Sequence, residues 1–397
     1  MVTKAGAGNA EKAVAKAAGL QRKEMIRLLS KLIEQDTSNP PGNEYLAANV
    51  VKEFFEKNGI RYRIFERENR RSNIIGYIGK GRPRLLIACH LDVVPAGRGW
   101  KTDPFRAELK GGKIYGRGAV DNKGPLAGVL IAGAILKKFE PRLKGQVIIA
   151  CVADEERGSE CGMYYLLEGG RLNAEYAIVP DIEHELKKID VAEKGLLFLK
   201  ITSFGKQAHG STPDKGINAV WNMLDFLEIL RKYRMKYRKH PLLSKPTVNL
   251  GVIRGGEAPN IVPGECNIRI DIRYLPSQNS KDIIRGMKGM LDRVRKKNKK
   301  AKFRLEVTDD QKPVEVDGNN ELVRLIKKHV AYVTGKHAEL IGISGTTLVK
   351  PLARKGVKAI GFSPGKGLAH TSNEYISVSE LLDFSRILCL VSFELLS

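Results

Sequence analysis

Residues 85–124 read LLIACHLDVVPAGRGWKTDPFRAELKGGKIYGRGAVDNKG, and the fold is decided there. The stretch opens on a short apolar run, 85–89, of the kind that forms a strand buried on both faces. The run stops on His90, Leu91 and Asp92. A strand ending in His-x-Asp sets an imidazole and a carboxylate at the carboxyl edge of a sheet, where open α/β folds bind ligands. Further on, Asp121 follows a glycine-rich turn (Gly116, Gly118) and precedes an apolar helical pattern at 126–136.

The same grammar recurs downstream. Run 147–153 ends on Asp154, Glu155 and Glu156; run 176–179 ends on Pro180 and Asp181; run 358–362 leads through a glycine-rich loop to His370. Four candidate buried strands thus end in, or lead to, side chains able to ligate a metal. Packing alone gives no reason for four such endings, so they point to a metal site. Two histidines and several carboxylates suit zinc first, with cobalt or manganese as alternatives. The expected fold class is α/β, a catalytic domain with a mostly parallel sheet flanked by helices.

The chain has 397 residues, enough for two domains. After residue 194 the pattern changes: 196–202, 247–253, 268–274 and 302–307 alternate apolar and polar residues, as strands with one wet face do. Helical patterns at 217–236 and 280–296 lie between them. Four such strands and two helices predict an inserted two-layer α+β domain of ferredoxin-like composition. The expected division is 1–194 and 311–397 for the catalytic domain and 195–310 for the insert, with 1–20 as an N-terminal extension. Helical patterns at 21–35, 45–58, 320–334 and 380–396 belong to the first domain as scaffold.

The formal net charge is +24, concentrated in 231–239 (RKYRMKYRK) and 293–302 (RVRKKNKKAK). The plain reading is solvated helix ends; the sharper one is a surface for an anionic partner, such as an acidic carrier protein or a nucleic acid. No nucleic-acid-binding motif accompanies the charge, which disfavours the latter. The five cysteines are scattered singly and read as reduced core residues of a cytoplasmic protein. No signal peptide is visible, and no apolar run approaches the roughly eighteen residues of a membrane helix.

HLDVVPAG, GRGAVDNKG, DEERGS and AHTSNEY resemble the signature segments of the M20 peptidase and deacylase family. The resemblance implies a dinuclear amidohydrolase with two divalent ions. His90 and Asp181 would hold one ion, Glu156 and His370 the other, and Asp121 would bridge them. Asp92 would accept the second ring N–H of His90, and Glu155 would act as general base on a water. His209, in GKQAHGSTPDKGIN, would reach an active site, often that of the partner subunit, so a homodimer is implied and the inserted domain is its lid and dimerisation surface. Asn260 and Arg273 match substrate-gripping positions, as do Gly345 and Thr346, and Arg273 suits a free substrate carboxylate. The implied substrate is an N-acyl amino acid or a small peptide. One segment departs from the pattern: where many members carry Gly-Gly-Thr-Asp and then an arginine, this chain has Thr347 and Val349, which disfavours a dianionic acyl group.

Overall fold

The computed structural model describes residues 20–397 and, before them, Ala13, Lys16 and Ala17. The extension expected over 1–20 therefore lies almost wholly outside the described residues. Two units are present. One holds the chain up to Val191 with Val316–Ile341 and Thr347–Ser397; the other holds Ala192–Glu315 and Gly342–Thr346. The return of 342–346 to the second unit is a connection that no sequence pattern announced.

The first unit is built on a sheet of β1 (Arg61–Glu66), β2 (Ser72–Gly79), β3 (Arg84–His90), β6 (Gln146–Val152), β7 (Tyr176–Val179), β8 (Lys188–Glu193) and β15 (Lys358–Gly361). Their order is β1-β2-β6-β3-β7-β15-β8. The middle pairings, β6-β3, β3-β7 and β7-β15, are parallel, whereas β1-β2, β2-β6 and β15-β8 are antiparallel. The sheet is thus mixed, parallel where it matters for the site. A second, small sheet joins β4 (Glu108–Lys110), β5 (Lys113–Tyr115) and β16 (Tyr375–Ser377).

Strands β3 and β6 read as unbroken apolar runs because both their faces are covered; Leu85 to Cys89 are each at most 1% exposed. The helices of this unit are α1 (Arg22–Ile33), α2 (Tyr45–Lys57), α3 (Lys123–Lys138), α4 (Met163–Glu168), α7 (Glu321–Thr334), α8 (Val349–Arg354) and α9 (Val378–Leu396). Helix α3, KGPLAGVLIAGAILKK, is buried almost all round, which is why it lacks a polar face. Its small residues let neighbours come close: a Cβ on Gly128 would lie 2.8 Å from the ring of Phe384 on α9. Because the central strands run parallel, their carboxyl ends all open at one edge. That edge receives His90, the turn after β6, and Asp181.

The second unit is a four-stranded antiparallel sheet with two helices. Strands β9 (Gly195–Phe204), β10 (Thr247–Gly255), β11 (Glu265–Tyr274) and β12 (Lys302–Gln311) take the order β10-β11-β9-β12. Helices α5 (Ala219–Lys232) and α6 (Ser280–Lys297) pack on it through Met223, Phe226, Met287 and Leu291, against Leu199, Ile201, Ile268 and Ile270. Each helix starts on an asparagine whose side chain accepts backbone N–H groups: Asn218 from Val220 and Trp221, Asn279 from Lys281. The helical pattern expected to 236 stops earlier, with Tyr233 extended at φ −67°, ψ 134°. Like charges four apart (Lys232 and Lys236, Arg234 and Arg238) oppose further helix. β13 (Val314–Glu315) pairs with Ala192 and Glu193, and β14 (Glu339–Ile343) carries the chain back into this unit. Edge strand β10 is exposed on both faces, Val248, Leu250 and Ile253 included.

Candidate metal centre

Five side chains converge at the carboxyl edge of the first unit's sheet. His90 is the last residue of β3, Glu155 and Glu156 form a tight turn after β6, Asp181 follows β7, and Asp121 stands two residues before α3. His370 comes from the loop after β15. The two oxygens of Asp121 face different histidines: Oδ1 lies 2.8 Å from His90 Nε2, and Oδ2 lies 3.2 Å from His370 Nε2. Glu156 Oε2 is 3.1 Å from the same His370 nitrogen, and Asp181 Oδ1 is 3.9 Å from His90 Nε2. Ligand atoms of His90, Asp121 and Glu156 all lie within 4.8 Å of one another, as do those of His90, Glu155 and Asp181.

These donors fit divalent cations. Glu156 Oε1 is buried with no hydrogen-bond partner among the described residues, an arrangement that costs free energy unless a cation meets it. Burial and the neighbouring carboxylates push Glu155 up to about 8 and raise Asp181 well above the usual carboxylate range. Against the same burial, the imidazoles of His370 and His90 hold Asp121 below its ordinary value. Hydrogen bonds that His370 donates to Asp121 and Glu156 push it up to about 10. Four carboxylates and two imidazoles on so few cubic ångströms form a donor set for hard or borderline dications.

Asp92 meets the His90 ring N–H through two acceptors, its main-chain carbonyl and its carboxylate. The His90 Nδ1–H points at the main-chain carbonyl of Asp92, 2.9 Å away, while the Asp92 carboxylate is 3.5 Å off. Together they hold the ring with Nε2 facing the cluster. The carboxylate of Asp92 also accepts the backbone N–H groups of Glu155 (3.0 Å) and Glu156 (3.1 Å), and Asn39 Nδ2 at 2.9 Å.

Several supporting residues went unread in the sequence. Buried Glu374 accepts the N–H groups of Gly118, Val120 and Asp121 and the guanidinium of Arg117 at 2.7 Å, so it shapes the turn that delivers Asp121. Glu183 accepts the N–H groups of Leu368 and Ala369 and fixes the start of the His370 loop. Asn122 donates to Pro180 O at 2.7 Å, tying the Asp121 turn to the end of β7. Glu374 lies inside AHTSNEY, four residues after His370.

The remaining predicted residues lie in the second unit. His209 is exposed, and its Nδ1 lies 2.7 Å from Ser211 Oγ and accepts the Ser211 N–H. Asn260 is its neighbour, since Gly210 N–H donates to Asn260 O at 2.7 Å. Arg273 Nε and Nη2 donate to Asp271, at 2.8 and 3.1 Å, which uses two of the five guanidinium N–H groups and leaves the Nη1–Nη2 end of the fork facing away from Asp271. Nη1 reaches Ser344 O and Thr346 Oγ1 at 3.4 and 3.5 Å, beside Gly345.

Comparison with known proteins agrees with this geometry. A family model described as "Peptidase family M20/M25/M40" matches residues 86–393. An uncharacterised metallohydrolase of Methanocaldococcus jannaschii is 30% identical, over 92% of this chain and 97% of that protein. A "probable succinyl-diaminopimelate desuccinylase" of Staphylococcus aureus is 28% identical, over 91% of this chain and 95% of its own length. Among solved structures, a tripeptidase of Staphylococcus aureus superposes with a TM-score of 0.74 at 22% identity, covering 94% of this chain and 98% of that one.

Proposed function

Because the chain belongs to peptidase family M20/M25/M40, we propose that it is a dinuclear metal-dependent amidohydrolase acting on an N-acyl amino acid or small peptide with a free carboxylate. The observation that carries this reading is Asp121, with one oxygen toward His90 and the other toward His370. His90 and Asp181 would hold one ion, Glu156 and His370 the other, and Asp121 both. Zinc suits this set first, cobalt or manganese next. When bound, two such cations would lower the pKa of a water toward ~7 and draw charge from the scissile carbonyl oxygen.

The protein's own part is placement and proton movement. Glu155 is held beside Glu156 by the two backbone N–H bonds to Asp92, so its carboxylate borders the donors. It would take a proton from the attacking water and release it to the departing amine nitrogen. Asp92 keeps the His90 ring in the orientation that turns Nε2 toward Asp121. By the family resemblance His209, often reaching the partner subunit's active site, would hydrogen-bond the substrate carbonyl, while Asn260, Arg273, Gly345 and Thr346 would grip the substrate, Arg273 at the substrate's carboxylate. Thr347 and Val349 supply no second cation, which favours a small acyl group or a peptide over a succinyl group.

All five cysteines are free and buried, which suits a reducing compartment and a cytoplasmic enzyme. Among the described residues no helix is long and apolar enough to cross a membrane. A homodimer contact on the open β10 edge fits the exposed Val248, Leu250 and Ile253.

The test is a hydrolysis panel of N-acetyl, N-succinyl and N-aminoacyl amino acids and short peptides, with zinc, cobalt or manganese and a chelated control. Turnover confined to one acyl class and lost with chelator supports the reading. Glu155→Gln should keep both ions and lose about two to four orders of magnitude in kcat. Loss of an ion from that variant would instead make Glu155 a ligand.

A further inference from the structure

The turn that bears Glu155 and Glu156 is clamped from behind by a buried charge network that the reaction itself does not use. Arg71, at the entry to β2, is 13% exposed, and its guanidinium meets Glu44 through two parallel bonds of 2.7 Å each. The same Nη2 reaches Asp154 Oδ1 at 2.8 Å. Glu44 is fully buried, and its Oε1 also accepts the Asp154 N–H at 3.1 Å. Asn39 Nδ2 bridges Asp154 Oδ1 (3.1 Å) and Asp92 Oδ2 (2.9 Å). Asp154 itself stands at φ +65°, in the left-handed region that aspartate enters more readily than most non-glycine residues.

The consequence is geometric. Residues 153–156 carry four successive backbone N–H groups, and each ends on a side chain: Ala153 on Asn73, Asp154 on Glu44, and Glu155 and Glu156 on Asp92. The carboxylates of Glu44, Asp92 and Asp154 are crowded together behind this turn, and among the described residues Arg71 is the guanidinium bonded to two of them. Two buried carboxylates sharing an arginine repel each other once it is gone, and the cost falls on the bonds that hold them in place.

We propose that Arg71 is a positioning residue for the metal centre: acting through Glu44 and Asp154, it sets the turn so that Glu156 faces the donors while Glu155 stands beside it. The inference rests on the reading of Glu156 as a ligand. It assigns Arg71 to the ion of Glu156 and His370, because its own bonds end on Glu44 and Asp154, next to the Glu155–Glu156 turn, whereas the path to His90 runs further, through Asn39 and Asp92. Lysine cannot replace the fork, since an ammonium offers no pair of parallel donors.

The test is calorimetric titration of the metal-free protein with Zn²⁺ or Mn²⁺ alone, so activity is not needed. Wild type should show two binding steps. Arg71→Met and the milder Arg71→Lys should weaken one step by about 10–100-fold, the usual effect of residues that orient ligands, and leave the other within about threefold. Arg67→Ala, which removes an exposed arginine of the same loop paired with Glu160, should change neither. Arg71→Met with Asp154→Asn should recover part of the loss relative to Arg71→Met, because one uncompensated charge is removed. Equal weakening of both steps, no weakening, or loss of the folded state in Arg71→Lys would overturn the proposal and leave Arg71 to the fold. Glu156→Gln in the same titration checks the underlying reading separately: if it leaves both steps intact, Glu156 is no ligand, whatever Arg71 does.

Discussion

His370 hangs on a loop, and more than half of its side chain is exposed. His370→Ala should therefore remove one ion and leave the other at His90 and Asp181, with the fold intact; metal analysis after dialysis should give a ratio near one ion per chain, and zero or two would refute it. Glu374 is the opposite case, fully buried and closing three N–H groups and an arginine. Glu374→Ala leaves Arg117 buried without its carboxylate, which costs roughly 3–5 kcal/mol. Urea unfolding should show that loss; a change below about 1 kcal/mol would mean the Asp121 turn holds itself. The histidines and acidic pairs at the strand ends were legible because their types are rare there. Glu374, Glu183 and Asn39 were not, because a carboxylate or amide that serves backbone N–H groups looks like any loop residue.

At the scale of elements, α9 is the helix on which the first unit closes. Phe384 is fully buried between Gly128 of α3 and Phe362, with ring centroids 6.0 Å apart. Phe384→Ala should cost about 3–5 kcal/mol in chemical denaturation. Helices α1 and α2 are joined differently, by Glu24, which accepts Arg27 at 2.6 and 2.9 Å on its own helix and Lys57 at 3.1 Å on the other. The Arg27 bond above all, with Lys57, holds Glu24 down to about 2 from an ordinary 4.5. A depressed carboxylate stabilises the fold above its unfolded value and loses that contribution as pH falls through its folded one. Wild type should thus exceed Glu24→Gln by about 1 kcal/mol or less at pH 7. The gap should close as pH falls from 4.5 toward 2; a gap that widens there would contradict the assignment. Buried strands and amphipathic helices were legible from their periods. The end of α5 was not, since charge repulsion rather than hydrophobic pattern stops it.

For the whole molecule, the open question is association. Strand β10 presents Leu250 at 40% and Ile253 at 50% exposure on an unpaired edge, the kind of edge natural proteins otherwise blunt. Light scattering on the proposed dimer should give a monomer for Leu250→Lys with Ile253→Lys, while the melting temperature of the second unit's core stays near wild type. A dimer that survives both lysines would place the contact elsewhere. Of the two basic runs, 293–302 closes α6 as expected, whereas most of 231–239 lies beyond the end of α5 in extended chain.

The amino-acid sequence by itself determined the α/β class, the inserted α+β unit, and the residue types at the strand ends, because apolar period and chemical type are local properties of a chain. It also carried the family likeness in four short segments. Only the tertiary structure decided that Asp121 faces both histidines, that the Asp92 main-chain carbonyl joins its carboxylate at the His90 ring, and that Arg71, Glu44 and Asp154 brace the Glu155–Glu156 turn. Those are relations between residues far apart in the chain, and hydrogen-bond direction, charge balance and burial exist only once the segments have met.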